Sequence, residues 1–419
     1  MEFYVNRLLY ALSYALDCVE GEVFGATTYH CERVAYIAVR IGEKMGLTPD
    51  QCSSVAMAAV LHDNALTETL STVRFHLEQR YPGQDLSEIQ KRLHLSGAEI
   101  SLKDHCEKGE ENVRSLPFYP EIQDAILYHH ENADGSGAFG LKAAETPLPA
   151  QLIHLADQID VRYDLSEVTQ QKHEEIHAFV AAHTGSLFSF ETSYAFEQAF
   201  PEKTEDHLKN YATRDRIEEL LPDVPVSYSR SEIEAIAHLF ARIIDAKSHF
   251  TCTHSVGIAE KAGRMAEFYH YDEDMQIRLY LAGALHDIGK CSIPNSILEK
   301  PGPLTREEFD IMKTHAMYSW EILSRTRGMD DIRDWAALHH EKLDGSGYPF
   351  GLSAADLSAN DRLMVNLDIY QALIETRPYK NGITHDEAIE IMHNMGRQNL
   401  IDDTITDDID RCFRPDSSF

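Results

Sequence analysis

Two stretches of the chain carry the same histidines and acids at the same spacing, and this repeat constrains the fold more than any other feature. LTPDQCSSVAMAAVLHD ends at Asp63, and YDEDMQIRLYLAGALHD ends at Asp287. His30 precedes His62 by 32 residues, and His254 precedes His286 by the same 32. Downstream, LYHHENADGSG from Leu127 matches ALHHEKLDGSG from Ala337. A unit this long, present twice, is a duplicated domain rather than a solenoid repeat. The 419 residues are enough for two cores.

Nearly every segment has helical periodicity. Ile233, Ile236, Ala237, Phe240, Ile243 and Ile244 form one apolar stripe, with Ser229 or Ser231 as its cap. Strand signals are few and short. The expectation is an all-α chain of two tandem domains, 1–221 and 222–419. Pro222 and Pro225 mark the boundary, because proline breaks a helix and biases its neighbour to extended geometry. Residues from about 165 to 221 read as helices that finish the first domain or bridge the two. MEFYVNRLLYALSYALDCVE reads as an amphipathic helix rather than a signal peptide.

Charge narrows the function. The formal net charge is −31, which repels DNA, RNA and anionic membranes. A small anionic substrate remains compatible, because bound cations and a few bases reverse the field locally and salt screens the rest. No apolar stretch is long enough for a membrane span. The 7 cysteines are scattered and odd in number, with no CxxC pair, so a reduced, cytoplasmic chain is expected.

In the second half His254, His286, Asp287, His315, His339, His340 and Asp368 follow one another as imidazoles and carboxylates, the donors that divalent metals take. Asp287 has two oxygens and can bridge two ions, which at about 3.5–4 Å apart clamp a phosphate. Adjacent histidines on a helix point about 100° apart, so the ordered set, present twice, carries more weight than any one pair. Lys290 follows Asp287 by three residues and can reach the same face.

AGALHDIGKCSIPNSILEKPGPLTREEF, KTHAMYSWEIL, ALHHEKLDGSGYPFGL and NLDIYQALIETRPYK together resemble the HD-GYP branch of the HD phosphohydrolases, from about Ser231 to Asn399. The resemblance implies two tandem HD-superfamily helical domains and metal-dependent hydrolysis of a cyclic dinucleotide. It places one metal on His254, His286, Asp287 and Asp368, and another on Asp287, His315, His339 and His340. It makes Asp287 and Lys290 catalytic. Substrate would meet Lys290, Gly347, Tyr348, Arg377 and Lys380. Phe250 stands where some members have a glutamate for a third metal, so two divalent ions (Mn, Fe, Mg or Ni) are expected. Gln371 replaces the usual aspartate three residues after Asp368, which affects how ligands are oriented rather than ligation itself.

The first half keeps His30, His62, Asp63, His129, His130 and Asp157, with His94 as the counterpart of His315. A second metal set is chemically feasible there. Leu66 stands in the place of Lys290, however, and Ala138, Phe139 and Gly140 replace the Tyr-Pro-Phe of the second loop. The first domain is expected to regulate or pack rather than to catalyse. A degenerate domain before a complete one resembles the vibrio enzymes that degrade 3′3′-cyclic GMP-AMP. The expected product is the linear dinucleotide with a 5′ phosphate, with a second cut left open. Cyclic di-GMP is the alternative substrate. A nonhydrolytic signalling scaffold and a phosphohydrolase of nucleoside phosphates or alarmones are the rival classes. A homodimer is left open, and neither a nucleic-acid polymer nor a membrane is expected as a partner.

Overall fold

Helices begin where the sequence supplies a side chain to cap them. In the computed structural model of the chain, Thr48 caps the helix Pro49–Leu61, Ser229 caps Arg230–Ala246, Thr305 caps Arg306–Leu323 and Ser358 caps Ala359–Ile374. Each cap is reciprocal: the hydroxyl accepts from the third helical amide, and the Gln51, Glu232, Glu308 or Asp361 side chain accepts from the cap amide. Two orphan donors are thereby satisfied at each end. Of the two expected serine caps, Ser229 is the one used.

The structure describes residues 2–24, 29–66, 68–69, 80, 102–165, 168–201, 213, 215–217, 219, 226–247, 254–300, 302–376 and 382–414. Helix is the dominant regular structure among these, as the periodicity predicts; strand is confined to the dipeptides Glu2–Phe3 and Val226–Ser227. The chain divides into two units at Val226/Ser227, with Glu2 grouped with the second. The sequence boundary at 221/222, with Pro222 and Pro225, falls a few residues earlier and outside the described residues.

The first unit packs the helices Val5–Phe24, His30–Lys44, Pro49–Leu61, Leu102–Val113, Leu148–Arg162, Gln170–His183 and Phe190–Ala199. Its core includes Leu8, Val34, Ile37, Val60 and Ile153, all nearly inaccessible to solvent. The amphipathic N-terminal segment is a helix over Val5–Phe24. The second unit packs Arg230–Ala246, His254–Phe268, Glu273–Leu285, Arg306–Leu323, Asp330–Ala337 and Ala359–Ile374, followed by His385–Arg397 and Asp403–Phe413. The stripe from Ile233 to Ile244 is buried along its length, so its apolar area drives the docking of that helix.

Among the described residues, Cys18, Cys31, Cys52, Cys106, Cys291 and Cys412 form no disulfide, while Cys252 lies outside them. No helix among the described residues is long and apolar enough to cross a membrane.

Candidate metal centre

His254 opens a helix, and its place depends on what holds that helix end. The amide of Ser255 donates to both carboxylate oxygens of Asp245, at 3.2 and 3.1 Å. Asp245 comes from the preceding helix and is buried, and burial pushes its carboxyl up to about 6. The first unit repeats this device, with Cys31 donating to Asp17 at 2.9 Å beside His30. Neither aspartate was anticipated from the sequence.

His286 and Asp287 follow the helix Glu273–Leu285 directly. The turn after them is pinned by Ser319, whose hydroxyl donates to the His286 carbonyl at 2.8 Å and accepts from the Gly289 amide at 3.0 Å. A Cβ at Gly289 would lie 1.9 Å from the His315 carbonyl oxygen. Only glycine lets the helix carrying His315 come this close to Asp287.

The imidazoles then converge on one carboxylate. Asp287 Oδ2 lies 3.0 Å from His286 Nε2 and 4.0 Å from His254 Nε2. Oδ1 lies 3.4 Å from His315 Nε2 and 3.8 Å from His339 Nε2. Asp368 completes the ring, 3.2 Å from His254 Nε2 and 3.7 Å from His340 Nδ1. Two groups result, His254–His286–Asp287 and His315–His339–His340, each with its donor atoms within 4.8 Å of one another. Asp287 presents one oxygen to each group.

The protonation pattern shows what these groups are suited to hold. His286, His315 and His339 each direct Nδ1 at a main-chain carbonyl three residues back, at 2.8, 2.7 and 2.6 Å. A carbonyl only accepts, so Nδ1 carries the hydrogen, and wherever the ring is neutral Nε2 is a bare lone pair. Burial pushes His315 down to about 3 and His339 well below the ordinary histidine range, so both are neutral. Yet Nε2 of His315 and Nε2 of His339 approach to 3.5 Å, lone pair to lone pair. His286 Nε2 and Asp287 Oδ1 are buried and make no aligned hydrogen bond. Asp287 itself stays ionised: burial opposes this, but His286 and Lys290 hold its carboxyl well below the usual range. Bare imidazole nitrogens crowded on an ionised carboxylate fit divalent cations and little else.

His254 differs because both its nitrogens face carboxylates, Nε2 toward Asp368 and Nδ1 toward Glu375 at 3.2 Å. Burial would lower it, but these two acids outweigh burial and raise it to about 9. Lys290 Nζ pairs with Asp287 Oδ2, and its side chain is one-fifth exposed. It lies at the rim of the cluster.

The loop Gly345–Pro349 forms the wall next to this centre. Glu341, fully buried, accepts from the amides of Phe350, Gly351 and Leu352 at 2.7, 3.1 and 2.9 Å. This acid, third in His339-His340-Glu341, is spent as a latch on the loop. The Tyr348 ring lies 4.7 Å from the His340 ring. Gly347 is buttressed against the latch: a Cβ there would meet Glu341 Cα at 2.4 Å and the Lys342 nitrogen at 2.5 Å. Gly347→Ala is therefore expected to destabilise the second unit by about 1–3 kcal/mol, the usual cost of overpacking where backbone must move. A lower melting temperature with activity lost in parallel would show it. Arg377, Lys380 and Phe250 lie outside the described residues.

The first unit builds a parallel cluster. Asp63 Oδ1 lies 2.7 Å from His105 and 3.6 Å from His129, while Oδ2 lies 3.6 Å from His62. His130 joins that group, and His30 and His62 form a second one with Asp63. Asp157 stands 3.5 Å from His30, and burial pushes its carboxyl up to about 6. His62 and His129 also give Nδ1 to main-chain carbonyls and leave Nε2 buried and unbonded. The histidine counterpart to His315 is thus His105, whereas His94 lies outside the described residues. Spacing held the signal: 24 residues separate His105 from His129, as they separate His315 from His339. Leu66, in the place of Lys290, is buried.

Comparison with known proteins places this geometry. Residues 238–405 and residues 27–162 each match a family described as the HD domain. The 3′3′-cGAMP-specific phosphodiesterase 1 of Vibrio cholerae is 29% identical over 98% of this chain and 93% of its own length. A cyclic di-GMP phosphodiesterase of Thermotoga maritima is 35% identical, over 39% of this chain and 44% of its own length. The crystal structure of a cyclic GMP-AMP specific phosphodiesterase of V. cholerae, V-cGAP3, superposes with a TM-score of 0.67 at 24% identity, covering 98% of both chains. This chain shares that fold, and its described residues are of the all-α class.

Proposed function

Because the chain belongs to the HD-domain family, with one such domain in each half, we propose that it is a phosphodiesterase that opens 3′3′-cyclic GMP-AMP at the centre around Asp287. The observation that carries this reading is Asp287 itself, an ionised carboxylate with one oxygen toward each of two groups of imidazole nitrogens. His254, His286, Asp287 and Asp368 would hold one divalent cation, and Asp287, His315, His339 and His340 another, drawn from Mn, Fe, Mg or Ni. Bound there, such cations supply Lewis acidity toward a phosphoryl group and make water nucleophilic near neutral pH.

The chain's own groups do the rest. Lys290 stands three residues from Asp287 at the rim and stabilises charge that develops on a phosphoryl oxygen. Tyr348 and Gly347 wall one side and offer a ring face to a base. Arg377 and Lys380 would add cationic contacts to the nucleotide. The product is the linear dinucleotide with a 5′ phosphate. Alignment along nearly the whole chain with a cyclic GMP-AMP enzyme, against 39% with a cyclic di-GMP enzyme, supports the choice of substrate.

The first unit is proposed to hold metal on His30, His62, Asp63, His105, His129, His130 and Asp157 without catalysing, since a buried Leu66 stands in the place of Lys290. A panel of 3′3′-cyclic GMP-AMP, cyclic di-GMP, alarmones and nucleoside phosphates, run with Mn²⁺ and separated by chromatography, tests the reading. Cyclic GMP-AMP should be cleaved fastest, and chelator should stop the reaction until Mn²⁺ is restored. Faster cleavage of cyclic di-GMP would move the substrate, and no product from either dinucleotide would leave a signalling scaffold.

A further inference from the structure

The two copies hold their first histidine with different residues. In the first unit His30 Nδ1 meets Asp160 Oδ2 at 2.7 Å. Asp160, three residues after Asp157, is in turn gripped by Arg33, with Nε at 2.5 Å and Nη2 at 2.9 Å. His30, Arg33 and Asp160 are all buried. A carboxylate on the far nitrogen of a ligating histidine fixes the tautomer, aims the ring and raises its basicity.

The second unit lacks both partners at those places. Gly257 stands where Arg33 stands, three residues after the first histidine, and Gln371 stands where Asp160 stands, three residues after Asp368. An amide side chain cannot give His254 the charge that Asp160 gives His30. Instead Glu375, one helical turn beyond Gln371, brings Oε2 to 3.2 Å from His254 Nδ1. Its side chain is 9% exposed. Gln371 Nε2 lies 3.5 Å from the other oxygen of Glu375, so the glutamine steadies the acid as Arg33 steadies Asp160. The glutamine needs the room that Gly257 leaves: a Cβ there would lie 2.6 Å from Gln371 Nε2. The counterpart of Glu375 in the first unit, Asp164, is exposed.

We propose that Glu375 is the positioning residue for His254, having taken over from position 371 the task that Asp160 performs in the first unit. Gly257, Gln371 and Glu375 act as one exchanged set. The inference rests on the metal-centre reading above and assigns Glu375 no contact with substrate.

The test uses the full chain and Mn²⁺ alone, titrated by calorimetry, with thermal melting of the metal-free protein beside it. Glu375→Gln should weaken Mn²⁺ binding by about 10–100-fold, as loss of such a partner typically does, while the metal-free melting temperature holds. Adding Gln371→Asp to Glu375→Gln should recover most of the affinity, by rebuilding the arrangement of the first unit. Undiminished Mn²⁺ affinity in Glu375→Gln would overturn the proposal. So would a loss that Gln371→Asp leaves in place, or one that tracks a fall in metal-free stability. A wild-type chain that takes up no Mn²⁺ would sink the metal-centre reading first, and this inference with it. Cleavage of a different dinucleotide would leave the inference intact.

Discussion

Asp287→Ala is expected to leave a folded chain with no measurable turnover and with the Mn²⁺ of its second unit lost. Asp287 approaches four of the imidazoles, His254 and His286 with one carboxylate oxygen and His315 and His339 with the other. Removing it would cost each proposed cation a ligand and take away the carboxylate they would share. The metal-free fold should lose some stability. The Asp287 side chain is only 2% exposed and is paired with Lys290, and removing one partner of a buried pair leaves the other uncompensated. Its melting temperature without metal should therefore fall, with the chain still folded. The share of the Mn²⁺-induced rise that comes from the second unit, by binding the native state alone, should vanish. Turnover assays with melts at increasing Mn²⁺ check both halves. Full activity in Asp287→Ala, with Asp63→Ala inactive, would transfer the chemistry to the first unit.

Lys290→Ala should lower kcat by about 10²–10³, the usual loss for one preorganised group aimed at developing charge, and leave Mn²⁺ affinity close to wild type. The ammonium ion pairs with Asp287 Oδ2 but offers no lone pair to a metal while charged. Its loss should show in kcat more than in KM, because the phosphoryl oxygens gain charge only on the way to the transition state. A parallel loss of metal would make Lys290 part of the cage instead. Leu66→Lys in the first unit should create no activity. Leu66 is 3% exposed, so a lysine there meets apolar packing rather than a phosphate-facing rim.

Spacing made the second-unit histidines and acids legible, because a helical frame repeated at equal intervals returns its side chains to equal places. The same logic explains where reading failed. From Asp63 to His105 is 42 residues, against 28 from Asp287 to His315. Counting forward by 28 from Asp63 reaches Lys91, whose nearest histidine is His94, whereas counting back from His129 by 24 reaches His105. Asp17, Asp245 and Glu341 gave no signal, because they act on main-chain amides that any residue supplies. Glu375 was hidden because the work of one position had moved a turn along its helix, and only the fold shows which carboxylate meets His254. The all-helical class and the burial of the Ile233–Ile244 stripe needed only periodicity.

The Glu341 latch makes the tripeptide that carries two imidazoles also the foundation of the wall beside them. In the first unit Glu131 clasps its own loop, accepting from the amides of Phe139 and Leu141, although Tyr348 and Pro349 have no equivalents there. The clasp is thus indifferent to which side chains the loop displays. Such a wall is an interchangeable panel on a fixed frame. Residues facing the nucleotide can be rewritten without redrawing the cage, so a chain of this kind can change what it cleaves while keeping how it cleaves.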